Sequence, residues 1–242
     1  LVELKEQEKA MATAERQQQV RKVSDTIELD ILFENDDVLV INKPAGVLVH
    51  PTDSSQEMTI MDAVVAHHPP IAQVGDKPEE RAGIVHRLDR MVSGVMIIAK
   101  TQNAFDDLKE KFKKRFVHKK YTALVNGRVE IPRRTIRLNI ARNKKLGRMV
   151  ARPESQEGKE AVTDYEVLET YANATKLDID LHTGRTHQIR VHLHAQGHPI
   201  VGDQLYKIRN QKTITFPRLW LHAYKLELAL PGDEGANAST LE

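Results

Sequence analysis

The densest polar stretch of the chain is GIVHRLDRMVSG at residues 83–94, where Asp89 stands between Arg87 and Arg90. A carboxylate flanked by two guanidiniums is expected to stay ionised at neutral pH. Such a carboxylate can act as a nucleophile or stabilise a cation that develops on a sugar ring. A structural salt bridge or a turn closed by the Asp89 side chain is the alternative, and spacing alone does not separate the two.

A second polar stretch, TGRTHQIRVH at residues 183–192, contains Arg185 and Arg190. Arg185 falls in a predicted turn, where a guanidinium can meet a carboxylate through two parallel hydrogen bonds. Histidines of this region could instead bind a metal, namely His187, His192, His194 and His198. No metal is expected, because spacings typical of metal sites, such as His-Glu-x-x-His, are missing.

The composition excludes several classes of function. The 242 residues contain no Cys and only 5% aromatics. Disulfides, thiolate nucleophiles and Cys-ligated metals are therefore excluded, and base stacking on an aromatic platform is not expected to be the main binding mode. No apolar run approaches the roughly 18 residues that a membrane-spanning helix needs. We therefore expect a soluble, cytoplasmic protein without a membrane partner.

The basic residues are concentrated in two runs, although the formal net charge is only +2. Residues 108–120 carry seven Lys and Arg with one acid, and residues 132–152 carry eight with none. Cationic stretches of this kind are typical of proteins that bind phosphate backbones, and a solvated surface is the alternative. The candidate contacts in these runs are Lys113, Lys114, Arg142, Lys144 and Lys145.

The elements that must position these residues form an α+β pattern. Apolar or alternating runs predict strands, and helical spacing after Thr59 and near residue 103 predicts helices. The predicted strands cover 38–41, 94–99, 121–125, 177–181 and 220–230, and the predicted helices 59–67, 103–114 and 186–196. Because strands outnumber helices without alternating with them, we expect a mixed, largely antiparallel central sheet flanked by helices.

Four segments resemble, in order, the motifs of the RluA-type pseudouridine synthases, which modify uridines in structured RNA. Residues 86–94 resemble the signature of that family, and residues 120–125 its tyrosine motif. Residues 181–206 resemble the third motif, and residues 42–46 with His50-Pro51 resemble the first. The likeness is greatest to the branch that acts on large-subunit ribosomal RNA.

This resemblance implies that the uracil C1′–N1 bond is broken and a C1′–C5 bond is formed, without cofactor or metal. Asp89 would be the catalytic carboxylate, Tyr121 would stack on the uracil and serve in proton removal from C5, and Arg185 would pair with Asp89. Other matched residues would bind RNA or shape loops: His86, Arg87, Arg90, Lys43, His50, His187 and Arg190. The target base must be flipped out of the RNA. Both basic runs are expected to line one side of a cleft that holds Asp89.

The resemblance also sets the expected domain organisation. Residues 1–30 are interpreted as a helical lead-in or linker, residues 31–232 as the catalytic domain and residues 233–242 as a C-terminal tail. An S4-like RNA-binding domain is expected upstream, as in many members of the branch. Val92 departs from the family by standing where Thr is usual, so any hydrogen bond of that hydroxyl is lost.

Two other functions remain open on the sequence. One is a non-catalytic RNA-binding module that has kept the same fold. The other is a metal-dependent hydrolase that uses the histidine cluster. The RNA, the uridine and the oligomeric state are not encoded in any motif.

Overall fold

Short apolar runs that end at turn residues form several strands of this protein. In Val38–Lys43, four buried apolar side chains are followed by Asn42, Lys43, Pro44 and Gly46, and the strand ends there. The computed structural model describes residues 27–52, 57–211, 213–231 and 239–241. No helix in these ranges is long and apolar enough to cross a membrane.

The element order is mixed, with eleven strands and four α-helices in the described ranges. The strands are β1 (Ile31–Glu34), β2 (Val38–Lys43), β3 (Ser93–Ala99), β4 (His118–Asn126), β5 (Arg133–Arg137), β6 (Asn139–Asn143), β7 (Arg148–Arg152), β8 (Val162–Thr170), β9 (Ala174–Leu181), β10 (Leu221–Leu228) and β11 (Ser239–Leu241). The helices are α1 (Ile60–His67), α2 (Pro78–Arg81), α3 (Gln102–Lys113) and α4 (Gln188–Ala195), with a 3₁₀ helix at Pro69–Gln73.

The chain divides into two units, which are described separately. Of the described residues, the first unit contains those up to Lys43, those of Val47–Arg90 and Met96–Glu110. The second unit contains Pro44–Gly46, Met91–Val95 and the described residues from Lys111 onward. Strand β3 therefore begins in the second unit and ends in the first.

The first unit contains β1, β2 and the end of β3, in that order across the sheet. Its buried side chains come from β2, from Met96–Ala99 and from the helices, among them Ile60 and Leu108. Helix α1 begins with a capping box, in which Thr59 and Asp62 each bond the backbone N–H of the other. This local pairing satisfies two N–H groups of the first helical turn.

In the second unit the strand order is β3-β10-β4-β9-β8-β5, with β11 beside β10. The β3–β10 pair is parallel and the others are antiparallel. Gly94 has a φ of 124°, and a Cβ there would collide with the main chain of Ala223, so glycine is required where β3 meets β10. Strands β6 and β7 form a separate hairpin, and β7 packs against α4.

The α+β class with a mixed, largely antiparallel sheet is confirmed, as are all the predicted strands and helices to within a few residues. Strands β1 and β5–β8 and the short helix α2 were not predicted. Part of the predicted C-terminal tail forms β11, while most of the predicted lead-in lies outside the described residues. The single catalytic domain over residues 31–232 stays a prediction.

Candidate active site

The loop that carries Asp89 is held along β3 by main-chain and side-chain hydrogen bonds. Ile84 pairs with Ile98, and the amide of Ala99 donates to the carbonyl of Gly83 at 3.0 Å. The amide of Ile97 donates to Nε2 of His86 at 3.0 Å. Of the two roles predicted for His86, RNA binding and loop shaping, this contact supports loop shaping. Asp89 follows a buried Leu88 and is itself half-buried.

Lys43 provides a second support for this loop. Its side chain has no exposed surface, and its ammonium donates to the carbonyls of Val47 at 2.8 Å and Arg90 at 3.1 Å. Burial lowers the pKa of Lys43 to about 8, against the opposing effect of the Asp89 charge. Of the two roles predicted for Lys43, RNA binding and loop shaping, its burial and these contacts support loop shaping.

The two arginines beside Asp89 are exposed and have other neighbours. Arg90 forms an ion pair with Glu57 at 2.7 Å, and both side chains are about half exposed. Nη1 of Arg87 lies 3.5 Å from Nε2 of His50. Burial, helped by the Arg87 charge, lowers the pKa of His50 to about 4, so this imidazole is neutral at pH 7. Arg87 and Arg90 thus remain accessible for a contact with a polyanion.

Tyr121 lies in the middle of β4 with its side chain on the buried face of the sheet. Its direct partners across the strands are Ile179 on β9 and Ala223 on β10, both buried. Alternating residues of a strand point to opposite faces. Lys120 accordingly points the other way, where its ammonium meets Asp178 at 3.2 Å.

Arg185 stands in a turn that is closed by the buried side chain of Gln188. Oε1 of Gln188 accepts hydrogen bonds from the hydroxyl of Thr183 at 2.7 Å and from the amide of Arg185 at 3.0 Å. Nε of the half-buried Arg185 donates to the carbonyl of Glu160 at 3.0 Å. Nearby, burial lowers the pKa of Lys119 to about 8, with Asp180 opposing the shift.

Arg190 is buried, unlike Arg185. Its Nε and Nη2 donate to the two oxygens of the Asp203 carboxylate at 2.8 and 3.0 Å. Hydrogen bonds from Arg190 and the Arg190 charge lower the pKa of Asp203 against the effect of burial. The amides of Leu205 and Tyr206 also donate to Asp203. Of the two roles predicted for Arg190, these contacts support loop shaping.

The histidines of the third motif hydrogen-bond to protein oxygens. His192 is fully buried between the hydroxyl of Thr163 and the carbonyl of Leu138, and burial lowers its pKa to about 4. The other partners are the Tyr206 hydroxyl for His187, the Lys207 carbonyl for His194 and the Asn126 carbonyl for His198. In the described part of the chain no three His, Asp or Glu side chains are grouped to hold a metal. These contacts give no support to a metal-dependent hydrolase.

The basic runs are divided between the two faces of the sheet in the second unit. Arg133 pairs with Glu166 on β8, and Glu166 pairs with Asp178 on β9. The side chains of Arg133 and Glu166 therefore lie on the same face as Asp178, which is the face away from Tyr121. Arg134 pairs with Tyr165, which lies opposite Ile179, and therefore shares the face of Tyr121. The expectation that both runs line one side is wrong for these residues, because consecutive residues of a strand alternate between faces.

Other members of the runs are exposed outside this sheet. Lys113 and Lys114 lie at the end of α3, and Arg142, Lys144 and Lys145 lie on the β6–β7 hairpin and its turn. All five are exposed, which is compatible with the predicted phosphate contacts. Arg148 and Arg152 are partly buried on the same hairpin.

A family model described as RNA pseudouridylate synthase matches residues 37–195. The chain belongs to the RNA pseudouridylate synthase family. The matched stretch includes Asp89, Tyr121 and Arg185, as well as the whole signature segment.

Curated relatives and solved structures agree with this membership. An uncharacterized RNA pseudouridine synthase of Synechocystis sp. is 39% identical over 86% of this chain and 64% of its own length. Ribosomal large subunit pseudouridine synthase D of Nitrosomonas europaea is 40% identical over 86% of this chain and 60% of its own length. These relatives confirm the predicted RluA-type family, and the chain spans about three fifths of their length. The structure of human RNA pseudouridylate synthase domain containing 1 is 30% identical with a TM-score of 0.71, covering 88% of this chain and 82% of that one.

Family membership leaves the roles of individual residues as predictions. Asp89 belongs to the first unit, and Tyr121 and Arg185 belong to the second. The pairing of Arg185 with Asp89 therefore stays a prediction. The buried Val92 needs no polar partner where the family usually has Thr.

Sequence reasoning did not identify two residues whose side chains hold the site segments in place. Gln188 closes the Arg185 turn, and Asp203 neutralises Arg190. Both stand inside the segments that carried the resemblance, so their positions were visible. Gln188 lies three residues from Arg185 and five from Thr183, so its spacing was a local signal that could have been used. Asp203 lies 13 residues from Arg190, and no local spacing reveals that pair.

Proposed function

We propose that this protein is an RNA pseudouridine synthase that isomerises uridine in structured RNA. The C1′–N1 bond breaks, the base turns, and a C1′–C5 bond forms while C5 loses a proton and N1 gains one. Atoms and electrons balance within the uridine, so the reaction consumes no cofactor. The observation that carries the proposal is the family match over residues 37–195, which contains every residue assigned to the chemistry.

Asp89 is the catalytic carboxylate in this proposal, acting at C1′ by direct attack or by another route. Its support is the way the loop is held, since His86 and the buried Lys43 fix the residues before and after it. A reacting group has to be kept close to its productive geometry, because small displacements cost large factors in rate.

Tyr121 and Arg185 complete the proposed machinery. A tyrosine on the buried face of a central strand offers a fixed aromatic surface on which a flipped uracil can stack. It would also serve in removing the proton from C5. Arg185 would pair with Asp89, and the turn closed by Gln188 holds its main chain in place.

The proposed substrate is large-subunit ribosomal RNA. Its support is the printed function of a relative that is 40% identical, the ribosomal large subunit pseudouridine synthase D of Nitrosomonas europaea. RNA would be held by exposed cations, above all Lys144 and Lys145 of the hairpin turn and Lys113 and Lys114 at the end of α3. Phosphate contacts would supply the few kcal/mol needed to flip the target base.

Tritium release tests the reaction directly. The protein is incubated with transcripts of large-subunit ribosomal RNA labelled with tritium at uracil C5, and with an unrelated structured RNA as the control substrate. We expect release to water from the ribosomal transcript, followed by a pseudouridine at a defined position on sequencing. Salt-sensitive RNA binding without any release would contradict catalysis and leave a non-catalytic RNA-binding module.

The salt dependence of RNA affinity tests the cationic surface. Removing both charges in Lys144→Ala/Lys145→Ala should lower the slope of log K against log salt by roughly 2, because each phosphate contact contributes about 0.9 or less. Lys77→Ala, an exposed lysine outside both runs, is the matched control and should leave the slope unchanged. Equal slopes for the three proteins would remove the hairpin turn from the RNA surface.

A further inference from the structure

Tyr206 is a buried aromatic residue with two guanidinium groups over its ring. Only 2% of its surface is exposed, and the Cζ atoms of Arg148 and Arg190 lie 5.2 and 5.0 Å from the ring centroid. Arg190 is neutralised by Asp203, whereas Arg148 comes from the basic run on the hairpin. Cation–π contacts strengthen when the cation is desolvated.

The loop that carries Tyr206 is fixed to helix α4 and to His187, the residue before that helix. Oδ1 of Asp203 accepts from the amides of Leu205 and Tyr206 while the same carboxylate holds Arg190 of α4. The hydroxyl of Tyr206 lies 2.8 Å from Nδ1 of His187, directly before the helix. The ring of Tyr206 is therefore a rigid part of the segment that also contains Arg185.

The β6–β7 hairpin is joined to this segment by Arg148. Nη1 of Arg148 donates to the carbonyl of Leu205 at 2.7 Å, in addition to its contact with the Tyr206 ring. Below it, Met149 and Ala151 pack against an apolar cluster that contains Tyr206 and Val191. A two-stranded hairpin is marginally stable by itself, so its position depends on such contacts.

We propose that Arg148 is a positioning residue that fixes the β6–β7 hairpin to the Arg185 turn through Tyr206, and that it is not a phosphate contact. This inference rests on the proposed function, in which the hairpin turn holds RNA and the Arg185 segment acts on the uridine. RNA held by Lys144 and Lys145 is then presented to the Arg185 segment at a constant distance. A loosened hairpin would still bind RNA through its charges but would present the uridine less often in the reactive geometry.

Hydrogen exchange of the hairpin amides tests the clamp in the free protein. In Arg148→Lys the charge is kept while the planar stack and the fixed hydrogen-bond geometry are lost. We expect exchange over residues 139–152 to rise about tenfold, the factor that corresponds to ~1.4 kcal/mol. Arg142→Lys is the matched control, because Arg142 is an exposed arginine of the same hairpin, and it should leave exchange unchanged.

Two further variants separate the clamp from its surroundings. Tyr206→Phe keeps the ring under Arg148 and removes the hydroxyl that contacts His187, so hairpin exchange should stay as in the unchanged protein. Arg148→Ala should raise exchange at least as much as Arg148→Lys. Unchanged exchange in both Arg148 variants would overturn the proposal and show that the apolar cluster alone holds the hairpin.

Kinetics then distinguish positioning from RNA binding. Arg148→Lys should lower kcat for tritium release several-fold and leave the salt slope of RNA affinity as it was. A lower salt slope in Arg148→Ala, by about 0.9, would mark Arg148 as a phosphate contact and contradict the proposal. If the unchanged protein releases no tritium, the proposed function fails, while the exchange experiment still decides whether the clamp exists.

Discussion

The segments around Asp89 and around Arg185 each bury a cation, which is a lysine in the first segment and an arginine in the second. Near Asp89 the buried charge is the ammonium of Lys43, which donates to two main-chain carbonyls. In the segment of Arg185 the buried charge is Arg190, and its partner is a carboxylate. The Lys43 clamp depends on a group that loses its proton near pH 8, whereas a guanidinium stays charged throughout the accessible range. The two segments should therefore respond differently to substitution and to pH.

Asp89→Asn should have the largest effect on catalysis, because it removes the reacting group while His86 and Lys43 keep their contacts with the main chain. An amide of the same shape cannot act as a nucleophile or carry the negative charge, so tritium release should fall by roughly a thousandfold or more. The RNA affinity and the unfolding midpoint should stay close to those of the unchanged protein. Asp36→Asn, at an exposed aspartate of the same unit, is the control. Comparable release from both variants would show that the chemistry lies elsewhere.

Asp203→Asn should have the largest effect on stability. It leaves the buried Arg190 without its carboxylate and weakens the acceptor of two loop amides, which typically costs about 3–5 kcal/mol. Urea unfolding measures this loss. Glu166→Gln removes an exposed ion pair with Arg133 and should cost at most about 1 kcal/mol. A similar loss in both variants would deny the buried pair any special role.

His192 should make the Arg185 segment sensitive to acid. Its pKa is about 4 in the folded chain and about 6.5 when unfolded, so between these values only the unfolded chain binds the proton. Stability should therefore fall as the pH drops from 6.5 to 4, by up to about 3 kcal/mol. The unfolding free energy of His192→Gln, followed over the same range, should lack this part of the decline. Parallel pH profiles of the two proteins would argue against a neutral, buried His192.

Lys43 should give the opposite dependence at the alkaline end, for the segment of Asp89. Its pKa is about 8 in the folded chain and about 10.5 when unfolded, so between these values only the unfolded chain keeps the proton. Stability should rise through this window, by up to about 3 kcal/mol. Lys119 has a similarly lowered pKa and contributes in the same direction, so the comparison is with Lys43→Met, which retains Lys119. The difference between the two profiles isolates Lys43, and a constant difference from pH 8 to 10.5 would contradict its burial as a cation.

These differences also explain what could be predicted from the sequence. Helix α1 was predictable because the capping box of Thr59 and Asp62 lies within four residues. Strands such as β2 were predictable from their apolar runs. Strand β5, with the sequence RRTIR, buries only Ile136, so no periodic apolar pattern announces it. Its basic residues were counted as one surface, although strand alternation places neighbours on opposite faces.

The candidate site was predictable only as far as its motifs. The positions of Asp89, Tyr121 and Arg185 follow from the resemblance, whereas the burial of Lys43 depends on the carbonyls of Val47 and Arg90 meeting at one point. Arg190 is buried and Arg185 is not, and this difference likewise depends on Asp203, which follows α4 in the chain. Tertiary contacts of this kind decide which charges are buried, and they are not encoded in spacing.

Arg90→Gln should change the free energy of unfolding least among these variants. Arg90 and Glu57 form an ion pair at 2.7 Å, but each side chain is about half exposed and water screens the attraction. The free energy of unfolding should change by less than about 1 kcal/mol, since the carbonyl of Arg90 still accepts from Lys43 whatever its side chain is. The salt dependence of RNA binding tests whether Arg90 contacts a phosphate, as an exposed cation next to Asp89 can. A large loss of stability would mean that the exposed charges of this segment, and not only Lys43, hold the Asp89 loop.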